Sequence, residues 1–279
     1  MNREKSTKLK SLINKVPPGY LVDTAWLSNH EKLSDKSIYD YVESGWLKRL
    51  VTGVYRRPST ENTEQPAEAD WLIPLLSMQW IMNYDVHLGG ESALDMAGFS
   101  HYLSLGNRSR VHLYGVAPTW LKRLPTKTKF VVHHDVLFKS PIGVTNMDAD
   151  STPAMQTSSA WQWPVKMSSP ERAVLEALNE LRNEADFESM DKVFEGLTSL
   201  RPKQLSALLK ACRSVKVKRL FFVFADRHQH AWQKHVDMKE IDLGSGPRAL
   251  VEGGKYHSKY QIYVPGNFVV RDEAETLGA

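Results

Sequence analysis

The segment SIYDYVESGWLKRLVTGVYRRP, residues 37–58, decides the fold of the first part of this chain. The apolar residues of its first half recur at i, i+3 and i+4, which is the spacing of one helical face: Ile38, Tyr41 and Val42. Ser34 supplies an N-cap for this helix, and Gly45 is the residue type that most often follows a helix end. We therefore predict a helix over residues 34–44.

The second half of the segment predicts a hairpin. Residues 46–50 and 54–57 are short apolar and basic runs typical of strands, and residues 51–53 between them form a tight turn. Gly53 supplies the positive φ that such a turn requires. A helix followed by a basic two-stranded hairpin is the second half of a winged helix-turn-helix.

Two further helices are predicted upstream of this segment. The first covers residues 4–15, and its apolar face is again spaced for a helix: Leu9, Leu12, Ile13 and Val16. The Pro-Pro-Gly sequence at residues 17–19 stops it. The second begins at Asp23, a good N-cap, and carries Trp26 and Leu27. Three short helices before a basic hairpin give the element order of a winged helix-turn-helix, a fold that binds duplex DNA.

The composition is ordinary for a globular protein, with 42% hydrophobic and 24% charged residues among 279. No apolar run approaches the roughly 18 residues of a membrane span, and the polar residues 1–10 have no apolar stretch behind them. We therefore expect neither a membrane segment nor a signal peptide. The single cysteine, Cys212, excludes an intramolecular disulfide and zinc sites built on cysteine pairs. We expect a cytoplasmic protein without metal or cofactor.

Positive charge is concentrated at the start of the chain. Residues 1–60 carry eleven Lys and Arg against six Asp and Glu, a net charge of +5, whereas the whole chain is +4. The remaining residues therefore sum to −1. Such an asymmetry is typical of a small module that meets a polyanion, attached to a body that does not.

The predicted fold class is α+β, with an N-terminal winged helix-turn-helix and a larger mixed α+β C-terminal domain whose last third resembles a helical bundle. We assign residues 1–58 to the first domain, 59–66 to a polar linker and 67–279 to the second domain. A further division of the second domain into residues 67–160 and 161–279 stays open.

The C-terminal domain begins with two predicted helices, over residues 71–84 and 91–96, and continues with strands over residues 111–116, 129–134, 136–140 and 142–147. Four helices follow. Ser169 and Pro170 begin the first of them, and the last is expected over residues 217–236. A closing hairpin is expected to pair residues 248–252 with residues 260–265.

The predicted recognition helix is residues 34–44, because the second helix of a helix-turn-helix enters the major groove. Its outward side chains, with those of the wing and of the first helix, form the predicted DNA-binding site: Lys36, Ser37, Tyr39, Asp40, Lys48, Arg49, Arg56, Arg57, Lys8 and Lys10. The side chains of Lys36, Ser37 and Tyr39 can bond to base edges or phosphates, whereas Asp40 either accepts from a cytosine amine or is solvated. The wing cations suit phosphates or a narrow minor groove.

The same segment resembles the N-terminal domain of AbiEi-type antitoxins, which belong to type IV (abortive infection) toxin–antitoxin systems. The resemblance rests on three short motifs: Gly45-Trp46-Leu47, Lys48-Arg49 and Gly53-Val54-Tyr55. Two later segments extend it along most of the chain: SPERAVLE at residues 169–176, and residues 243–260, which contain LGSGPR, GGKY and KY.

The resemblance implies a repressor and an antitoxin without enzymatic activity. Its N-terminal domain would repress its own operon by binding inverted repeats in the promoter, which calls for two copies on the DNA whatever the state in solution. Its C-terminal domain would neutralise a nucleotidyltransferase-type toxin without forming a stable complex, in a system of phage defence.

Other interpretations stay open from the residues alone. His133, His134 and Asp135 form a cluster that, with a third ligand from elsewhere, would suit a DNA-targeted metal-dependent nuclease or nucleotidyl-handling enzyme. The body of the chain would alternatively sense a small molecule and make the protein a ligand-dependent regulator.

Two further groups of charged residues each have a structural or a functional interpretation. A basic stretch is either a solvated face or a docking surface for nucleic acid: Lys216, Lys218, Arg219, Arg227 and Lys234. A second group instead suggests a buried polar network, in which Arg172 or Arg248 is held by Glu176 or Glu252: Glu171, Arg172 and Arg248.

Overall fold

The computed structural model describes residues 3–59, 70–99, 110–147, 163–248 and 253–269. Within these ranges the helices and strands follow in this order: α1 (Arg3–Lys15), β1 (Leu21–Asp23), α2 (Thr24–Asn29), α3 (Asp35–Glu43), β2 (Lys48–Val51), β3 (Val54–Arg56), α4 (Leu72–Leu76), β4 (Val86–Leu88), α5 (Gly90–Met96), β5 (Arg110–Gly115), β6 (Lys129–His133), β7 (Val144–Met147), β8 (Val165–Ser168), α6 (Pro170–Glu180), α7 (Glu184–Gly196), α8 (Pro202–Ala211), α9 (Val215–His228), β9 (Lys255–His257) and β10 (Ile262–Val264). The mixture confirms the predicted α+β class. No helix in these ranges is both long and apolar enough to cross a bilayer.

Contacts divide the chain into two compact units. The first consists of Met1–Leu88, Asn107–His134 and Thr145–Met167, and the second of Gly89–Gly106, Asp135–Val144 and Ser168–Ala279. The predicted linker over residues 59–66 lies, apart from Ser59, outside the described residues. The division at residue 58 therefore stays a prediction.

The start of the first unit is a winged helix. Helices α1 to α3 accompany a three-stranded antiparallel sheet of order β1-β3-β2. Arg56, on the central strand β3, lies between Leu21 of β1 and Lys48 of β2. Gly53 has φ +80° in the turn between β2 and β3, as predicted. Strand β1 was not predicted, because three residues are too few to show the alternation of a strand and its partner β3 lies 33 residues away.

The helix starts of the winged helix follow the predicted caps. The Asp23 carboxylate accepts the N–H of Trp26 at 2.8 Å, and the Ser34 hydroxyl accepts the N–H of Ser37 at 3.2 Å. Such caps satisfy backbone donors that a helix start leaves without partners. The apolar faces then meet in one core: Leu12, Val16, Trp26, Leu27, Ile38, Tyr41, Leu47 and Val54.

The first unit also contains a five-stranded sheet of order β6-β5-β4-β8-β7. Strand β5 runs parallel to β6 and antiparallel to β4, which is parallel to β8. Of the predicted helix over residues 71–84, only α4 is α-helical, and Ser77–Ile81 form a π-helical turn. This turn directs Gln79 at two strands, where its amide nitrogen donates to the carbonyls of Val86 at 3.1 Å and Lys166 at 2.9 Å.

The predicted strand over residues 136–140 is wrong. Within the second unit, Leu137 and Phe138 are buried, and the Leu137 carbonyl accepts from the backbone N–H of Arg213 at 2.9 Å. Apolar residues can be buried in irregular chain as well as in a strand, and a short apolar run does not distinguish the two.

The second unit is largely helical, as predicted for the last third. An aromatic cluster joins α7 to α9, with the rings of Phe194 and Phe224 stacked at 4.8 Å between centroids. The expected helix over residues 217–236 is shorter, because Gln229 adopts a left-handed conformation with φ 50° and ends α9 at His228.

The closing hairpin differs from its prediction. Strand β9 pairs with β10, so that His257 lies opposite Ile262 and Lys255 opposite Val264. Arg248 contributes one isolated parallel bridge to Ile262, and residues 249–252 lie outside the described residues. Within the described residues, β10 therefore pairs with residues 255–257 and, through the single bridge, with residue 248.

Candidate nucleic-acid interface

The outer face of α3 is exposed beside a buried inner face. Ile38 and Tyr41 are 3% and 7% exposed, whereas the large aromatic side chain of Tyr39 is 64% exposed. Lys36 is also exposed, and Ser37 and Asp40 are half-buried. The predicted recognition residues thus lie on the side of α3 that does not pack in the winged-helix core.

The wing presents two exposed cations, Lys48 and Arg49. They are consecutive on β2, and Arg49 lies opposite Tyr55 on β3. The guanidinium of Arg49 donates from Nη2 to the hydroxyl of Thr52 at 3.1 Å, which holds it against the turn. Both side chains are available to the phosphates of a duplex that lies along this hairpin.

Arg56 and Arg57, in contrast, bond within the protein. Arg56 donates from Nε to the carbonyl of Gly19 at 3.1 Å, and Nη1 of Arg57 donates to the carbonyls of Ile13 at 2.7 Å and Val16 at 2.5 Å. These carbonyls belong to the end of α1 and the loop after it, where a helix leaves acceptors without partners. Burial lowers the pKa of Arg57. A contact of either arginine with DNA stays a prediction.

The two lysines predicted on α1 differ in their surroundings. Lys8 donates to the carbonyl of Lys32 at 3.2 Å, whereas Lys10 is exposed. Both lysines contribute to the positive potential of the winged helix even without direct contact.

The cluster at residues 133–135 does not form one site. His133 approaches His112, with 2.9 Å between Nε2 and Nδ1, whereas Asp135 forms an ion pair with Arg172 at 2.5 Å. Across the part of the chain that the structure describes, no group of three or more His, Cys, Asp or Glu is arranged to hold a metal ion. The three residues of the cluster therefore do not supply the shared metal site that the nuclease interpretation requires.

Two of the five residues of the basic stretch are buried on α9, whereas Arg227 and Lys234 are exposed. Lys218 and Arg219 are 5% and 2% exposed. The guanidinium of Arg219 donates to carbonyls that precede the closing hairpin or lie within it: Leu243 at 2.8 Å, Gly244 at 3.1 Å, Gly246 at 2.6 Å and Gln261 at 2.8 Å. Burial lowers the pKa of Arg219. Its role is to hold the segment Leu-Gly-Ser-Gly against α9.

The predicted buried network exists around Arg172. This side chain is 0% exposed, and its Nε donates to Glu176 at 2.7 Å while Nη1 donates to the carbonyl of Ile142 at 2.7 Å. Glu171 instead pairs with Arg201 at 3.0 Å. Arg248 is exposed, so it is not part of a buried network, and Glu252, its other predicted partner, lies outside the described residues.

One cation beside the wing was missed at the sequence level. Arg123 is the last residue of the 3₁₀ helix Thr119–Arg123. Its Nη2 donates to the carbonyl of Thr52 in the wing turn at 3.4 Å. The available signal was the absence of carboxylates around it, since residues 110–134 contain no Asp or Glu.

The exposed α3 face and the basic hairpin define the class of protein, a winged-helix regulator. The family described as "Transcriptional regulator, AbiEi antitoxin N-terminal domain" matches residues 5–105, and the family described as "Transcriptional regulator, AbiEi antitoxin, Type IV TA system" matches residues 108–265. The chain therefore belongs to the AbiEi antitoxin family of transcriptional regulators of type IV toxin–antitoxin systems.

A solved structure resembles the chain along most of its length. The crystal structure of the RV2827C protein from Mycobacterium tuberculosis aligns over 94% of this chain and 91% of that chain, with 15% sequence identity and a TM-score of 0.49. Among curated proteins, none matches the sequence significantly.

Proposed function

We propose that this protein represses its own operon by binding inverted repeats in duplex promoter DNA, and that it neutralises a cognate nucleotidyltransferase-type toxin through its C-terminal part. The observation that carries the repressor function is the exposed face of α3, where Lys36 and the 64% exposed Tyr39 stand beside the basic wing. Tyrosine hydroxyls are among the side-chain groups that bond to DNA phosphates, and this exposed one is accessible to a duplex.

In the proposed complex, α3 enters the major groove. Lys36, Ser37 and Tyr39 offer bonds to base edges or nearby phosphates, and Asp40 faces a cytosine amine or solvent. Lys48 and Arg49 bind phosphates along the wing. Lys8, Lys10, Arg56 and Arg57 add attraction that weakens as salt rises. Inverted repeats require two copies of the protein on the operator.

The proposed neutralisation rests on family membership. A type IV antitoxin opposes its toxin without a lasting complex, so the toxin's activity and not its co-purification is the relevant readout. The second unit has its own helical core, described above, and does not include the winged helix. We therefore expect neutralisation to survive loss of DNA binding.

The DNA-binding half is tested by fluorescence anisotropy on the duplex upstream of the operon, against a scrambled duplex of equal length. Lys36→Ala and Arg49→Ala are each expected to weaken binding by roughly 5- to 100-fold. Lys203→Ala, which removes an exposed cation from α8, is the matched control. If both substitutions leave affinity for the promoter unchanged, the proposed docking face is wrong.

The antitoxin half is tested by co-expression of the full chain with the product of the adjacent toxin gene. Growth should be restored equally by the wild type and by the Lys36→Ala variant, with both expressed from an unrelated promoter. Failure of the wild type to restore growth would refute neutralisation and leave the repressor function standing.

A further inference from the structure

We propose that the second unit contains a binding site for a divalent transition-metal ion, with Nδ1 of His228 and Nδ1 of His230 as its two protein ligands. Imidazole suits zinc, nickel and copper(II), which defines the class of ion. Two ligands are fewer than the groups of three or more that are absent from the described residues, so water completes the coordination. The proposal is independent of DNA binding and of toxin neutralisation.

The end of α9 places the two histidines side by side. His228 is the last residue of α9, and Gln229 adopts a left-handed conformation with φ 50° and ψ 42°. In a continuous helix, side chains two residues apart point about 200° away from each other around the axis. Here the rings of His228 and His230 are 10° from parallel, with 6.0 Å between their centroids. The break in the helix therefore brings together two imidazoles that helical spacing would separate.

Each ring is fixed to α7 by a hydrogen bond from its Nε2. Nε2 of His228 lies 2.7 Å from Oδ1 of Asp191, and Nε2 of His230 lies 2.7 Å from the carbonyl oxygen of Phe194. A carboxylate and a carbonyl oxygen only accept hydrogen bonds, so Nε2 is the donor in both rings. In the neutral form of each ring, the lone pair that can bind an ion is therefore on Nδ1.

This arrangement is the one that surrounds histidines bound to metal ions. Such a histidine almost always donates its other ring N–H to a carboxylate, a backbone carbonyl or water, which fixes its tautomer and its orientation. His228 has the carboxylate partner, and His230 has the carbonyl partner. Neither Nδ1 atom forms a hydrogen bond with a residue that the structure describes, and both side chains are only half-buried. Both nitrogen atoms are thus open to an ion from solvent.

The spacing of the two rings allows one ion to contact both. A zinc ion lies about 2.0 to 2.1 Å from an imidazole nitrogen. Once the distance from nitrogen to ring centroid is added on each side, two rings that share one ion have centroids at most about 6.4 Å apart. The observed 6.0 Å between the centroids of His228 and His230 lies within this limit.

Buried aromatic side chains hold both rings in place. The ring of His228 lies 6.4 Å from that of Phe194, and the ring of His230 lies 5.8 Å from that of Trp232, between centroids. Phe194 and Trp232 are 0% and 4% exposed. The two ligands are therefore ordered before an ion binds, which lowers the entropy cost of binding. Since Phe194 and Asp191 belong to α7, a bound ion stabilises the packing of α7 against the end of α9.

The test is calorimetric titration of the full chain, without a histidine tag, with zinc chloride. Magnesium chloride is the control ion, because magnesium prefers oxygen ligands. His228→Gln and His230→Gln each remove an Nδ1 ligand, while the glutamine amide can still donate a hydrogen bond toward α7. His235→Gln is the matched control variant, because it removes an exposed histidine a few residues further along the chain.

The wild type should bind one zinc ion per chain more tightly than any other and should not bind magnesium at this site. Zinc affinity should fall at least about tenfold in His228→Gln and in His230→Gln, and stay within about twofold of the wild type in His235→Gln. Asp191→Asn keeps both ligands but weakens the bond that orients His228, so its zinc affinity should fall by about 10- to 100-fold. Affinity should also fall between pH 7.5 and pH 5.5, because protons compete with the ion for Nδ1.

A measurement on the wild type alone guards against variants that fail to fold. In the electron paramagnetic resonance spectrum of the copper(II)-loaded protein, the hyperfine splitting should report two imidazole nitrogens. Coupling to one nitrogen or none would overturn the proposal, and so would the absence of zinc binding by the wild type. If His228→Gln and His230→Gln bind zinc like the wild type, or if His235→Gln loses as much affinity as they do, the ion binds elsewhere and the proposed pair is wrong.

Discussion

Tyr84 donates its hydroxyl proton to Oδ2 of Asp23 at 2.6 Å, which joins a carboxylate of the winged helix to a phenol beyond the π-helical turn. Burial, together with this bond, raises the pKa of Tyr84 to about 12. The other oxygen of Asp23 caps α2 through Trp26, and Trp120 donates to Oδ2 as well. One side chain that is 4% exposed thus begins a helix and connects the winged helix to the rest of the first unit.

Asp23→Ala should lower the free energy of unfolding by about 3 kcal/mol, because it removes a helix cap and leaves the buried Trp120 donor and the half-buried Tyr84 hydroxyl without an acceptor. Urea unfolding of the full chain measures this. Tyr84→Phe should cost about 1 kcal/mol, since one hydrogen bond is lost. Tyr39→Phe is the control, because that hydroxyl lies on an exposed side chain. A change of under about 0.5 kcal/mol for Asp23→Ala, the range of ordinary surface substitutions, would contradict this role.

Substitutions of Arg57 and Arg49 should affect different properties, the first the stability of the fold and the second its affinity for DNA. Arg57→Ala removes two bonds to the end of α1 and should lower the free energy of unfolding by about 1 to 3 kcal/mol. Arg49→Ala should leave stability within about 0.5 kcal/mol of the wild type and weaken DNA binding. Thermal melting and anisotropy on the same samples compare them. Equal stability of the two variants would show that the Arg57 bonds do not hold α1.

The ion pair of Glu171 with Arg201 should make stability depend on pH on the acid side. Burial alone would raise the pKa of Glu171, but the side-chain and backbone hydrogen bonds from Arg201 outweigh it and hold the pKa below its ordinary value of 4.5. A depressed pKa in the folded state stabilises the fold above pH 4.5, and this contribution is lost as the pH falls through the folded-state value.

Glu171→Gln should therefore lower the free energy of unfolding at pH 7 by about 2 kcal/mol. Between pH 5 and pH 3, the free energy of unfolding of this variant should fall by less than that of the wild type. Urea unfolding at several pH values measures both effects. Glu188→Gln removes an exposed carboxylate of α7 and serves as the control. If the wild type and Glu171→Gln lose stability in parallel as the pH falls, the bonds from Arg201 do not depress this pKa.

Arg172→Met should be among the most destabilising substitutions in the second unit. It leaves the carboxylate of Glu176, which is 0% exposed, without its cation, and breaking one side of a buried ion pair costs about 3 to 5 kcal/mol. Arg182→Met, at a side chain that is 81% exposed, is the control. The double variant Arg172→Met, Glu176→Leu should recover part of the loss in urea unfolding. If the double variant is no more stable than Arg172→Met, the uncompensated charge of Glu176 is not the cause of the loss.

The features predicted correctly from sequence are those whose partners lie within a few residues. The caps at Asp23 and Ser34 bond three residues ahead, and the turn at Gly53 needs only its own backbone conformation. Helix faces such as Ile38 and Tyr41 repeat at short spacing. These caps, turns and helix faces give the element order of the winged helix, because each depends on interactions between residues that are close in the sequence.

The features missed or mistaken depend on partners far along the chain. Strand β1 exists through its pairing with β3, and the irregular segment at Leu137 is held by a backbone bond from Arg213. α9 ends at His228 because the next residue, Gln229, is left-handed, although glutamine has no strong tendency to end helices. Local patterns carry no information about such contacts, since they are formed only when the chain has folded.

The sequence by itself determined the winged helix, its predicted recognition helix and the family resemblance, because caps, periodicity and short motifs are local. Only the tertiary structure decided the position and surroundings of each cation. Arg57 and Arg219 donate to carbonyls within the protein, whereas Arg49 and Arg123 meet at Thr52 on the surface. A guanidinium group bonds to whatever acceptors the folded chain brings to it, and for Arg57, Arg123 and Arg219 those acceptors lie tens of residues away in sequence.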